Sequence, residues 1–167
     1  MTDATGIDED SWQTWRAFVS MQGQLARALD RQLQRDAGLS QSDYSVMIML
    51  FNSPERQVRT GELAELLAWE KSRVSHQIAR MEKRGLVERS ECDEDARGTW
   101  VSLTAEGRRT LLGAMRDHSA EIRSQFFDRL EPGELATIRA VSERVLDGLN
   151  PAACELVADT SATPAAS

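Results

Sequence analysis

The 167-residue sequence predicts a mainly α fold with one small β-wing: a winged helix-turn-helix flanked at both ends by long amphipathic helices. Three observations carry this. Apolar residues recur at steps of three and four toward both ends of the chain. Between these stripes, residues 60–84 read as a short helix, a tight turn and a second helix with a basic outer face. Two short runs of β character, residues 86–89 and 99–103, follow directly and are joined by a polar loop, which makes them a wing. From Lys71 to Arg89 six cations stand against Glu82 and Glu88, inside a chain of formal charge −7. An acidic protein that gathers positive charge on one helix marks where a polyanion docks, and double-stranded DNA is the first candidate.

Each element has its own signal. Residues 1–10 are acidic and expected to be disordered. A helix begins near Ser11, with Trp12, Trp15, Val19, Ala26, Leu29 and Leu33 on its apolar stripe. It stops at Gly38, which supplies the left-handed conformation a helix end favours. Ser40 and Asp43 resemble a capping box. They open an apolar helix through Tyr44, Met47, Ile48, Leu50 and Phe51, stopped before Pro54. Residues 55–59 read as a connector or a very short strand. Thr60 is expected to cap the next helix, with Leu63, Ala64, Leu66 and Leu67 turned inward.

The basic helix spans roughly residues 70–84. Val74, Ile78 and Met81 form its core side, leaving Ser72, Arg73, His76, Gln77, Arg80 and Lys83 on the other face. Gly85 closes it. Thr104 is expected to cap a long helix whose period runs through Leu111, Met115, Ser119, Ile122, Phe126 and Leu130. Glu131-Pro132 starts the last helix, since proline suits the first helical position. Its stripe is Leu135, Ile138, Val141, Val145 and Leu149. Residues 150–167 are rich in Ala, Thr and Ser and expected to be mostly disordered.

An α-helix fits the major groove of B-DNA and presents its N-terminal side chains to base edges. Ser72, Arg73, Ser75, His76 and Gln77 occupy that part of the basic helix. Arg suits a guanine edge and Gln an adenine edge. Arg80, Lys83 and Arg84 lie further along, where phosphates are the expected partners. The bland alternative, a solvated amphipathic helix, is the better reading of an isolated charged helix; the preceding helix, the Gly85 stop and the wing reverse that preference.

Other chemistry is thin. No run of about 18 apolar residues exists, so no membrane span is expected. The N-terminus lacks the basic region and apolar core of a secretory signal. Two cysteines fit a reducing cytoplasm rather than a disulfide framework. His76, His118, Cys92 and Cys154 are scattered without ligand spacing, so no metal, cofactor or catalytic site is expected. Carboxylates around Cys92 would make its thiol sluggish.

Asp95-Ala-Arg-Gly98, followed by Val101-Ser-Leu-Thr104 and Gly107, resembles the wing signature of the MarR family of bacterial transcriptional regulators. Gly85-Leu-Val-Glu-Arg89 fits the same family, and the runs Trp69-Glu-Lys-Ser-Arg73 and Ser75-His-Gln77 resemble a subset of it. The resemblance implies a winged-helix homodimer on a pseudo-palindromic operator, repressing until a small, often aromatic, ligand releases it. It places Arg97 at the wing tip in the minor groove, with Asp95 orienting it or a neighbouring cation. It makes residues 11–38 and 105–149 dimerisation helices around a DNA-binding lobe at 40–104, which alone would not shelter the apolar stripes at both chain ends. One departure stands out: four carboxylates, Glu91, Asp93, Glu94 and Asp95, surround Arg97 in the wing. That acidity sustains a rival reading, a winged-helix module that docks a protein partner and binds little DNA.

Overall fold

A computed structural model describes residues 6–91 and 99–149. The order is α1 (Glu9–Ala37), α2 (Gln41–Asn52), β1 (Gln57–Arg59), α3 (Thr60–Leu66), α4 (Lys71–Lys83), β2 (Val87–Glu91), β3 (Thr99–Leu103), α5 (Ala105–Gln125), a 3-10 turn (Phe127–Arg129) and α6 (Glu134–Leu149). The mainly helical class with a small β-wing holds. The chain forms two compact units, divided between Gln125 and Phe126.

Within the first unit, α1 starts two residues earlier than its apolar pattern indicates. The Asp8 carboxylate accepts a hydrogen bond from the Ser11 amide at 2.8 Å and caps the helix, so residues 9 and 10 are helical. Gly38 ends it at φ +64°, a conformation costly for any residue with a Cβ. The capping box at Ser40 and Asp43 forms in both directions. Thr60 does not cap α3. Its hydroxyl donates instead to the Thr99 carbonyl at 3.3 Å, which ties the helix start to the sheet.

The sheet has three strands in the order β1-β3-β2, all antiparallel, with Val58 and Arg89 both opposite Val101. The wing hairpin is therefore extended by the connector at 57–59, and β3 sits in the centre. The core of the unit closes around Leu33, Met47, Leu50, Leu63, Ile78 and Leu111, each with no exposed surface. Burying side chains of this size contributes about 1.5–3 kcal/mol apiece.

A polar cluster joins α1, α2 and α5. His118 is buried, its Nδ1 lies 2.9 Å from Gln32 Oε1, and its ring stands 4.5 Å from that of Tyr44. Gln32 donates onward to Asp36 at 3.0 Å. Its oxygen is therefore the end that accepts, which puts a proton on His118 Nδ1. Burial lowers the His118 pKa, with nearby Glu121 working against the shift.

Thr104 caps α5 by accepting from the Gly107 amide at 2.9 Å. The same hydroxyl donates to the Gly85 carbonyl at 2.6 Å, and the Thr104 amide donates to the Leu86 carbonyl at 3.2 Å. A Cβ on Gly107 would stand 1.9 Å from that carbonyl oxygen, so only glycine fits. The long helix ends sooner than its period indicates: Phe126 leaves helical geometry, so Phe126 and Leu130 are not on α5.

In the second unit the Phe126 and Phe127 rings meet edge to face at 5.3 Å. Pro132 lies in a turn rather than at the first helical position. Gly133 adopts φ +91°, and α6 begins at Glu134, whose carboxylate accepts from the Glu131 amide at 2.8 Å. The apolar stripe of α6 is exposed in the single chain, by 44% at Leu135, 48% at Val141 and 55% at Val145.

Candidate nucleic-acid interface

The turn between α3 and α4 is tight. Ala68 takes φ +50°, and the Trp69 amide donates to the Ala64 carbonyl at 2.9 Å. Helix α4 leaves this turn with Val74, Ile78 and Met81 wholly buried. Its opposite face presents Lys71, Ser72, Arg73, Ser75, His76, Arg80 and Lys83, all exposed. The predicted site residues Ser72, Arg73, Ser75, His76, Arg80 and Lys83 therefore share one surface.

Three of these side chains are held locally, Arg80 by the Gln77 oxygen. The Arg73 guanidinium lies 4.0 Å over the Trp69 ring, a cation–π contact that holds it beside the start of the helix. The Ser75 hydroxyl donates to the Lys71 carbonyl at 3.0 Å. The sequence does not announce Trp69 as a platform for Arg73, because Trp69 lies in the turn before α4, where helical spacing does not apply.

Gln77 does not belong to this surface. It is 2% exposed, and its amide donates to Asp43 Oδ1 at 2.6 Å while its oxygen accepts from Arg80. Its position explains this: Gln77 is three residues after Val74 and four before Met81, on the inward stripe. Polarity outweighed periodicity in assigning it outward. Arg84 is likewise engaged within the chain. Its Nη1 donates to Asp43 Oδ2 at 2.8 Å and its Nη2 to the Gly38 carbonyl at 2.6 Å. Arg89 lies 3.5 Å from Glu82 on the surface.

Asp43, read from the sequence only as part of a cap, is the residue that sequence reasoning missed. Asp43 is 3% exposed. Burial alone would raise its pKa, but hydrogen bonds from the Ser40 amide, Arg84 and the Ser40 hydroxyl outweigh burial and hold it below its ordinary value.

The wing contributes its two strands to the described structure. Asp95, Arg97 and Cys92 lie outside the described residues, and so does Cys154 in the tail. Among the described residues no helix is long and apolar enough to cross a membrane, and no group of three metal-ligating side chains forms.

Comparisons with known proteins agree with this geometry. Residues 39–99 match the sequence profile of the MarR family. Transcriptional regulator HosA of Escherichia coli O127:H6 is 32% identical over 96 residues, covering 58% of this chain and 69% of HosA. The crystal structure of Sco3205, a MarR family transcriptional regulator from Streptomyces coelicolor solved in complex with DNA, superposes with a TM-score of 0.83. It is 36% identical, over 87% of this chain and 91% of that one. AbsC, a MarR family regulator from the same organism, gives a TM-score of 0.82 at 31% identity, over 87% and 97% of the two chains. With helix-turn-helix, wing strands and sequence all in agreement, the chain belongs to the MarR family of transcriptional regulators.

Proposed function

We propose that this protein is a homodimeric, sequence-specific DNA-binding regulator that reads a pseudo-palindromic operator through α4. The observation that carries the reading is the outer face of α4, which gathers Lys71, Arg73, Arg80 and Lys83 on an acidic chain. Ser72, Arg73, Ser75 and His76 at its N-terminal end face base edges in the major groove, and Arg80 and Lys83 face phosphates. The similar regulator Sco3205 was crystallised with DNA, which supports the same use of the surface here. Arg97 extends the contact into the minor groove, where a narrow groove concentrates negative potential, with Asp95 supporting it.

The dimer is supported by apolar surface that one chain leaves open. Trp15, Phe18, Val19 and Met21 of α1 are exposed, as are Leu135, Val141 and Val145 of α6. A second copy covering these stripes removes them from water and sets two recognition helices about one DNA turn, roughly 34 Å, apart. Residues 11–38 and the helices within 105–149 then serve dimerisation, and 40–104 the reading of DNA. A dimer seated on an operator excludes other proteins from it, so the regulation is repression, relieved when a small aromatic ligand binds.

Binding-site selection from random duplex, followed by titration against salt, tests the reading. The expected result is an inverted-repeat motif bound well below micromolar, with affinity falling steeply as salt rises. No selected motif and no binding below about micromolar would hand the surface to a protein partner.

A further inference from the structure

We propose that Asp43 is the positioning residue of the recognition helix: it fixes the roll and tilt of α4 through Gln77 and Arg84, and specific DNA reading depends on it. The inference rests on the DNA-reading function proposed above.

Four donors converge on one buried carboxylate. Oδ1 accepts from Gln77 Nε2 at 2.6 Å. Oδ2 accepts from Arg84 Nη1, from the Ser40 amide and from the Ser40 hydroxyl, each at 2.8 Å. The Arg84 fork also reaches the Gly38 carbonyl at 2.6 Å, so the end of α1 and the start of α2 are gripped together with α4. Gln77 and Arg84 are seven residues apart, about 10 Å along a helix axis. Two directional attachments so separated fix an orientation, whereas a single one would act as a pivot.

The apolar contacts of α4 do not do the same. Burial of Val74, Ile78 and Met81 holds the helix down, but hydrophobic contact is non-directional and tolerates small rolls. A roll of a few degrees moves side-chain tips relative to base edges while leaving the core filled. The relay also reaches the DNA-facing surface, because the Gln77 oxygen that Asp43 orients accepts from the exposed Arg80. Arg84 is therefore a brace, and the phosphate contact its charge invites is not its task.

The test titrates the full-length chain onto two duplexes, the motif selected by the wild type and a scrambled sequence of the same composition, across a salt series. Arg84→Met and Arg84→Lys should each bind the selected motif about tenfold more weakly, the equivalent of one lost charge-assisted hydrogen bond. Both should bind scrambled DNA as the wild type does, with an unchanged salt slope. Lysine does not rescue a brace, since it lacks the two-pronged geometry, whereas it does replace arginine at a phosphate. Asp43→Asn should show the same selective loss. Should that variant not fold, the two Arg84 variants decide, because Arg84 is 43% exposed at the end of its helix and its loss leaves the core intact.

A merely structural role lowers the melting temperature yet leaves the ratio of selected to scrambled binding untouched. That result overturns the inference, as does an Arg84→Met variant that loses both duplexes equally with the salt slope reduced by about one while Arg84→Lys behaves as wild type. A wild-type chain that selects no sequence overturns the DNA reading and this inference with it. A wild-type chain that selects one, with variants that keep its preference, overturns this inference alone.

Discussion

Helices α4 and α6 are both amphipathic, and they resolve their apolar stripes in opposite ways. In α4, Val74, Ile78 and Met81 are sealed within the chain, and what remains outside is hydrophilic and largely cationic. In α6, Val141 and Val145 stand about half exposed. Similar periodicity in the sequence thus leads to two kinds of surface, one suited to a polyanion and one to another apolar face. The difference is that the stripe of α4 is buried within its own chain and that of α6 is left open.

The largest test of this contrast is Val141→Asp. The side chain is exposed in the single chain, so the charge should leave the monomer fold unchanged while keeping a second copy away. Light scattering should report a monomer, and operator affinity should fall about 100-fold or more as the link between half-sites is lost. A dimer that still binds would show that the α6 stripe has another purpose.

Arg73→Ala probes the other face. The variant should lose about 1–3 kcal/mol at one position per half-site and relax the selected motif there. An unchanged motif would reduce Arg73 to its stacking on Trp69. A smaller, uniform effect is expected for Lys83→Ala, which should weaken selected and scrambled DNA alike and lower the salt slope by about one. A loss confined to the selected motif would move Lys83 from phosphate to base contact.

The smallest effect should come from His118, which belongs to neither surface. Its pKa is lowered from the ordinary 6.5 by burial, so the unfolded chain takes the proton more readily than the folded one. Its contribution is fully present above pH 6.5 and is lost as pH falls toward the lowered folded value. Urea unfolding should show stability dropping below pH 6.5 by no more than about 1.4 kcal/mol per pH unit, and His118→Gln should flatten that slope without altering dimerisation or the selected motif. A variant with the wild-type slope would assign the proton to another group.

Local rules made most of the fold legible. Gly38, the Ser40–Asp43 box, Gly85 and Thr104 each act within a few residues of themselves, and each does what its neighbours dictate. The outward cations of α4 follow from its period. What escaped depends on distant partners. Nothing near Asp43 announces that Gln77 and Arg84, 34 and 41 residues on, will converge on it. Nothing near Thr60 announces the Thr99 carbonyl. The end of α5 escaped for another reason, since Phe126 and Leu130 keep helical spacing across a real break. Gln77 alone was recoverable, because its place on the inward stripe was already written in the period.

The close fit at Gly107 has a mechanical consequence. Its α-carbon lies so near the Leu86 carbonyl that no side-chain atom fits between, and Thr104 bonds the same junction twice. A joint without slack does not absorb movement. The first turn of α5 is therefore fastened to the root of the β2–β3 hairpin at a spot where any larger residue would push the two apart.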